Sequence, residues 1–572
     1  MNTDVAVPEV QAAWPPDVER RYREAGLWTG TLLGDHVLDG AVRHPGRTAL
    51  VCGHRRWTHA ELADEVGRVA SGLGALFAAG DRVVVHLPNR WEQVVTTLAC
   101  LRSGIVPLWS LPQHGEHELV GFARHIGARG IVTTDRYRGT DTLAVARRVR
   151  AEVHDLEHVI IVAGADPGDG VPAETARGTV PDPAVPNPAL PDGIVPFAAL
   201  RGLAPARETP GSDPGDVALL IPSGGTTGAS KIVPRTHDDL VCLLREAVRV
   251  CDVDHRTRYL AVLPLGHGFP NTGPGVLGTL AVGGTVVISP SPDPRTALDL
   301  LERERITMTS VVPAIVLRWL EHLAARASDG EPDRRPGRQP VLLQVGAARL
   351  DPAVGREVER LLPAVVQQVY GMSEGLMCAT APGDPPDVRL ATQGRPISPA
   401  DEVRVVATDG QDAGPGATGE LWTRGPYTVR RYHRSPAADA AAFTPDGWYR
   451  TGDLVRRTPE GRVVVVGRLK DVINRGGEKI SAEEVEDVIR THDAVLRCAV
   501  VGMPDERLGE VVCAYVVPRP GTDPARLGDI GRHLTERGLA PYKVPKMIIA
   551  VDRLPLTGIG KVDRKRLRGW LA

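Results

Sequence analysis

Lysine is scarce in this chain: of 572 residues, seven are lysine against sixty-one arginine, and the first lysine is Lys231. Arg is a planar fork and Lys a compact, mobile point charge, so each remaining lysine invites a question about its place. Cysteine is also sparse, at seven, with no Cys-x-x-Cys pair and no histidine cluster at zinc spacing. That excludes a zinc ribbon or a disulfide framework and leaves buried thiols in a reducing compartment. Nowhere do roughly eighteen apolar residues run together, so no membrane span is expected. The N-terminus lacks a basic start followed by an apolar stretch, so no signal peptide is expected either. A net charge of −2 provides no field for nucleic acid or a membrane surface. These exclusions leave a soluble, cytoplasmic protein, with 42% hydrophobic residues to build cores and enough length for two or more domains.

Short β-branched runs alternate with helical spacing through the first 350 or so residues. Arg82–Leu87 reads as a buried strand followed by an amphipathic helix over Trp91–Ser103. Gly130–Thr134, His158–Val162, Val217–Ile221, Tyr259–Leu263 and Thr285–Ser289 read as further strands. Such alternation predicts largely parallel α/β layers. Residues 164 to about 196, rich in Pro, Ala, Asp and Gly, read as an exposed loop or insertion. From about 385 to 467, short strands between Gly/Pro turns predict a β-rich subdomain. After Gly467-Arg-Leu-Lys-Asp471 the pattern restarts. Ser481-Ala-Glu-Glu484 reads as a capping box opening a helix through Arg490, and strands at Cys498–Val501, Val511–Val517 and Met547–Val551 accompany a helix near Leu527–Arg537. The fold class expected is α/β: a large N-terminal domain of layered α/β subdomains plus a β-rich subdomain (1–467), a hinge (468–471), and a small mobile α+β C-terminal domain (472–572).

Two lysines close glycine-rich loops far apart in sequence. Ser223-Gly224-Gly225-Thr226-Thr227-Gly228-Ala229-Ser230-Lys231 follows an apolar strand, where glycines let backbone N–H groups approach an anion and hydroxyls add donors. Ala229 and Ser230 intervene before the lysine, which excludes a Walker loop and with it a P-loop kinase. Pro555-Leu-Thr-Gly-Ile-Gly-Lys561 is the second. One nucleotide gripped by two parts of the chain is the simplest reading.

These two loops, with Tyr370-Gly-Met-Ser-Glu374, Tyr449-Arg-Thr-Gly-Asp453, Gly467-Arg-Leu-Lys-Asp471 and Asn474-Arg-Gly-Gly-Glu-Lys479, occur in one order. The chain thereby resembles the adenylate-forming superfamily of acyl-CoA ligases, nonribosomal peptide adenylation domains and luciferase. Pro234-Arg-Thr-His-Asp-Asp239, Thr392-Gln-Gly-Arg-Pro-Ile397, Arg424-Gly-Pro-Tyr427 and Tyr22-Arg-Glu-Ala-Gly-Leu-Trp28 are similar to the stand-alone aryl-acid–AMP ligases, such as those for 2,3-dihydroxybenzoate. The resemblance implies ATP and Mg2+ as cofactors. It implies that Ser223 to Gly228 and Lys231 hold the β,γ-phosphates, and that Gly346, Ala347, Val369, Gly371, Met372 and Ser373 line the nucleotide. Tyr370 would stack on adenine, Asp453 accept the ribose hydroxyls and Arg468 support the ribose. Glu374 would ligate Mg2+, with Thr226 a weaker ligand. Lys561 would be catalytic, touching the phosphoryl and incoming oxygens as charge builds on them. Lys470 would be the pivot of a domain rotation, with Gly476 and Gly477 lining a pantetheine passage.

The same resemblance puts the acid pocket at His267, Gly268, Phe269, Gly273, Ala347, Met377 and Cys378. The chain departs from the aryl-ligase pattern there: Gly268 replaces Asn, Gly273 replaces Ser or Cys, Met377 replaces Val or Leu, Cys378 replaces Asn, and Ala347 replaces Gly. Lost side chains mean space and lost donors, and a site without its donor discriminates less. The expected substrate is therefore an aryl acid other than plain 2,3-dihydroxybenzoate, such as an amino-substituted benzoate or a bulkier heteroaromatic acid, with salicylate also open. Eleven residues follow Lys561, so the acceptor is expected in trans, as a phosphopantetheine-bearing carrier protein, with Arg475, Lys479, Lys543 and Lys546 as docking charges. Free CoA is the alternative acceptor. The rival from another class, a non-catalytic nucleotide-binding protein, has no need of Lys561.

Overall fold

The computed structural model describes residues 14–164, 193–206, 211–223, 231–328, 340–475, 478–505, 507–522, 524–557 and 560–571. Two mainly parallel sheets dominate the first two-thirds. One runs, in spatial order, Ile232–Thr236, Val217–Pro222, Val106–Trp109, Arg82–His86, Ala128–Thr134, His158–Val162 and Ile194–Pro196. The other runs from the edge strand Arg395–Pro396 through Met377–Ala379, Ala364–Gly371, Val341–Val345, Met308–Val311, Arg258–Ala261, Thr285–Ile288 and Thr48–Cys52 to Arg55–Thr58. Runs such as Val83-Val84-Val85 are apolar at every position because both faces of a parallel strand are covered. Val83 and Val85 join Leu50, Tyr259 and Ala261 of the second sheet in the core between the layers. Val84 turns the other way, into a core with Leu119 and Val149 of two outer helices.

The insertion expected at 164–196 lies mostly outside the described residues; its last part is the edge strand Ile194–Pro196. The strand expected at Tyr259–Leu263 ends earlier, as Arg258–Ala261. The β-rich subdomain is a four-stranded antiparallel sheet, Glu402–Val406, Gly419–Arg424, Tyr449–Arg457 and Val463–Arg468.

From Val472 onward the chain has its own cores, one around Ile480, Val485, Val500 and Ile530, another around Val501, Tyr515 and Leu567. Its two long strands, Val495–Asp505 and Gly509–Pro518, extend well past the runs read from sequence. Antiparallel pairing carried the ladder into polar ends that hydrophobicity cannot flag. Ser481 caps the helix Ala482–Ile489 by accepting the Glu484 N–H. The Glu484 carboxylate, expected to close the capping box, instead takes Lys543 Nζ at 2.6 Å. The helix expected near Leu527–Arg537 begins as a 3-10 turn, Pro524–Asp529, before Ile530–Glu536.

The C-terminal unit touches the main body at several places. Ser481 Oγ donates to the Val466 carbonyl at 2.8 Å, Arg349 pairs with Asp487, and Arg497 meets Glu321 at 3.0 Å. No described helix is long and apolar enough to cross a membrane.

Close packing between elements depends on a few glycines. Gly67, in the helix His59–Gly74, accepts a hydrogen bond from Ala206 N–H at 2.9 Å. A Cβ there would lie 2.8 Å from both the Ala206 carbonyl and Pro205 Cβ. Gly67→Ala is expected to cost about 1–3 kcal/mol of stability, read as a lower urea midpoint; an unchanged midpoint would show that the 203–206 segment simply yields.

Candidate active site

Parallel strands deliver their loops at one edge, the carboxyl ends. Ser223 follows Val217–Pro222, His267 lies beyond Arg258–Ala261, Gly346 follows Val341–Val345, and Tyr370 ends Ala364–Gly371. The last three leave one edge of the same sheet, and Ser223 leaves the other sheet. At the foot of the first, Ser223 N–H donates to the Lys231 carbonyl at 2.7 Å, closing the loop on itself. Gly224, Gly225, Thr226, Thr227 and Gly228 lie outside the described residues, as do Gly476 and Gly477.

The Tyr370 hydroxyl donates to Asp453 Oδ2 at 2.7 Å, and Arg468 Nε meets Oδ1 of the same carboxylate at 2.7 Å. Asp453 and Arg468 are register partners across antiparallel strands, which sets them side by side. Burial, then the neighbouring Asp453 charge, pushes the Tyr370 phenol well above its ordinary value, so it remains a donor. Glu374 is buried, and its Oε1 accepts the Tyr432 hydroxyl at 3.0 Å. Tyr449 stands behind, hydroxyl to hydroxyl 3.3 Å from Tyr432. Both phenols are held protonated by burial first and by the Glu374 charge second. The Lys231 ammonium sits over the Tyr432 ring, 4.5 Å from its centre.

Lys561 is carried in by a loop pinned at both ends, since Thr557 N–H donates to the Lys561 carbonyl at 2.7 Å and Thr557 Oγ1 accepts Lys561 N–H at 3.2 Å. Beside it, Gly560 adopts φ +79° and backs onto Val312 of the main body. Burial lowers the Lys561 ammonium to about 8, Arg468 adds to that, and Asp453 opposes it. His267 is lowered to about 4 by burial and then by the Lys561 charge. Its Nδ1 accepts Phe269 N–H at 3.1 Å, so the neutral ring carries its proton on Nε2. Lys561 therefore stands within electrostatic reach of Asp453, Glu374 and His267 at once.

On the acid side, the Phe269 ring lies against Gly346: a Cβ there would be 2.7 Å from Phe269 Cζ. Ala347 follows with φ +66°, a left-handed conformation that an L-side chain adopts at a cost of about 1–2 kcal/mol. Gly268 is buried, and a Cβ there would make ordinary contact with Ile221 Cδ1 at 3.7 Å and Thr272 Oγ1 at 3.9 Å, so the position tolerates a small side chain but carries none. Gly273 is different. Its φ of +69° is itself a reason for glycine, and a Cβ would meet Met377 Sδ at 3.4 Å and Ala247 Cβ at 3.7 Å. Strand alternation separates Met377, which packs with the inter-sheet core, from Cys378, which is fully buried with Leu376, Val405 and Leu421 beneath the β-rich subdomain. Cys378 is thus corrected from pocket to core. Val369 shares the Met377 face and is buried between the sheets, on the side opposite Tyr370, so its side chain does not line the nucleotide side.

Two sequence profiles match the chain: AMP-binding enzyme over residues 38–433 and AMP-binding enzyme C-terminal domain over residues 484–561. The chain belongs to the AMP-binding enzyme family. It is 49% identical over 561 residues to 2-hydroxy-7-methoxy-5-methyl-1-naphthoate–CoA ligase of Streptomyces carzinostaticus, covering 97% of this chain and 96% of that one. It is 43% identical over 560 residues to salicylyl-CoA synthase/salicylate adenylyltransferase of a Streptomyces species, with the same coverage. Among solved structures, apo MbtA of Mycobacterium smegmatis superposes with a TM-score of 0.70 at 37% identity, over 97% of this chain and 98% of that one.

In this AMP-binding enzyme the structure joins Tyr370, Asp453, Arg468, Glu374, Lys231, His267 and Lys561 around one locus. Lys470 lies in the 3-10 turn Leu469–Asp471, its ammonium lowered by burial and then by Arg468. Of the docking charges, Lys543 and Lys546 are both engaged, the latter with Asp505 at 2.7 Å, and the Lys479 side chain lies outside the described part. Sequence reasoning missed Arg235, which is fully buried. It pairs with Asp239 at 2.8 Å and donates to the carbonyls of Ser373 at 2.9 Å and Tyr427 at 3.2 Å. The motif Pro234-Arg-Thr-His-Asp-Asp239 was the available signal. Tyr432 was missed with no signal at all, lying among polar neighbours.

A Lys561 ammonium titrating near 8 is charged below that pH and neutral above it. Acid-dependent ATP–pyrophosphate exchange, measured as kcat/KM for ATP, is therefore expected to fall above about pH 8. The residual rate of Lys561→Ala should lack that limb; a wild-type profile flat to about pH 10 would overturn the link between Lys561 charge and rate.

Proposed function

We propose that the protein activates an aryl carboxylic acid with ATP: a carboxylate oxygen attacks the α-phosphorus, the α–β bridging bond breaks, and aryl-AMP and pyrophosphate form. A thiol sulfur then attacks the acyl carbon and AMP leaves. The observation that carries this reading is the half-buried Lys561 ammonium, brought in by a loop that seats on Val312 of the main body and placed in the field of Asp453, Arg468, Glu374 and His267. A nucleotide store has no use for a cation brought in from a separate unit at a desolvation cost.

Within this reading the working divisions are 1–467, a hinge at 468–471 centred on Lys470, and 472–572. Ser223–Lys231 holds the phosphates, Tyr370 the adenine, Asp453 and Arg468 the ribose. Glu374 fits Mg2+, because it is a buried carboxylate served by phenol donors, so its charge remains available to a hard cation. That ion, when bound, neutralises charge on the phosphates. The seven free thiols suit the reducing cytoplasm.

The acid is proposed to be larger than a single ring. The missing side chain at Gly268, where a Cβ would fit without a clash, supports this, and so does the naphthoate named for the 49% identical relative. Gly273 contributes less than its sequence position implied, since its backbone already calls for glycine. For the acceptor two readings stand: a phosphopantetheine-bearing carrier protein, and free CoA, which the names of both quoted relatives favour. The thiol arm is the same chemistry in each.

Pyrophosphate exchange over a panel of benzoates, naphthoates and quinaldates tests the acid. Bicyclic acids are expected to exceed 2,3-dihydroxybenzoate by about tenfold or more in kcat/KM; preference for 2,3-dihydroxybenzoate sinks the size argument. Lys561→Ala should lower exchange by about 10²–10³-fold while ATP binding by calorimetry persists. Undiminished exchange in that variant would remove the catalytic assignment.

A further inference from the structure

One side chain touches both charged groups at the phosphate end of the site. The Tyr432 ring carries the Lys231 ammonium 4.5 Å from its centre, while its hydroxyl donates to Glu374 Oε1 at 3.0 Å. The backbone around it is riveted to the same two places. Val429 N–H donates to the Glu374 carbonyl at 2.8 Å, and His433 N–H donates to the Ile232 carbonyl, next to Lys231, at 2.8 Å. Arg235 bridges the carbonyls of Ser373 and Tyr427, so the turn that carries Glu374 and the segment that carries Tyr432 move as one piece. Tyr432 itself is 2% exposed and packs against Phe443 and Tyr449. Its ring has little room to rotate, and a fixed ring means a fixed hydroxyl.

A carboxylate has two oxygens, and a metal ligand works best when one of them is already committed, because that fixes the plane and direction of the other. We propose that Tyr432 is a positioning residue for the metal and phosphate end of the nucleotide site. Its hydroxyl occupies one oxygen of Glu374 and orients the remaining one towards the divalent cation that accompanies ATP. Its ring seats Lys231 on the neighbouring side by cation–π attraction, so that carboxylate and ammonium are kept at a set spacing before nucleotide arrives. This inference rests on the reading of Glu374 as the cation's ligand and extends it to the buried residue that holds that carboxylate.

Binding of ATP to the full chain, followed by calorimetry at increasing Mg2+ and with no aryl acid present, is the test. Tyr432→Phe keeps the ring, the Lys231 contact and the packing, and loses only the donor. It is expected to raise the Mg2+ concentration for half-maximal ATP binding by roughly 10- to 100-fold, with ATP binding in Mg2+-free buffer unchanged. A purely structural tyrosine would instead weaken ATP binding equally with and without Mg2+, and that result overturns the proposal. Glu374→Gln separates the two levels. If it shifts the Mg2+ dependence and Tyr432→Phe does not, the positioning role falls and the ligand stands; if neither shifts it, the ligand reading falls and takes the proposal with it.

Discussion

The arrangement depends on taking one ammonium out of water. Burial brings Lys561 from an ordinary 10.5 to about 8, which corresponds to about 3 kcal/mol in favour of its neutral form. At neutral pH that is a penalty on the closed arrangement until an anion arrives to share the site. A polyphosphate is such an anion. In the proposed reaction the polyphosphate that needs the lysine would thus also stabilise its position, and the contact would loosen once that charge departs.

The other links between the two parts are suited to release. Arg497 and Glu321 pair across the boundary at 3.0 Å with the carboxylate exposed to solvent, and such surface pairs contribute about 0.2–1 kcal/mol. Ser481 and Val466 share a single hydrogen bond. Each part has its own apolar core, so separation exposes little that either needs for folding. The main body contrasts with this. Arg235 and Asp239 form a buried pair, and the guanidinium also donates to the carbonyls of Ser373, beside Glu374, and of Tyr427. Removing one partner of such a pair leaves a stranded charge. Rigidity is concentrated around Glu374, where the proposed reading puts phosphates and metal, and the weaker contacts lie between the two parts.

Much of this was legible in the residues. The β-branched runs at Arg82–His86 and His158–Val162 form buried strands where expected, because a run covered on both faces has no polar alternative. The motif order was enough to expect one locus from Tyr370, Asp453, Arg468 and Lys561. The acid pocket was less legible. Met377 and Cys378 are adjacent in sequence and lie on opposite faces of one strand, and Gly273 reads as a deleted side chain until its positive φ is known.

By itself, then, the sequence determined the α/β architecture, the family resemblance, and which residue types could serve phosphate, ribose and acid, since periodicity and loop chemistry are local properties of the chain. Tertiary structure alone decided which side chains meet. Tyr432 comes to Glu374 across 58 positions, and Lys561 reaches His267 from a separate core. Contacts of that kind are set by how layers stack and how one unit seats on another, and nothing in the neighbouring residues encodes them.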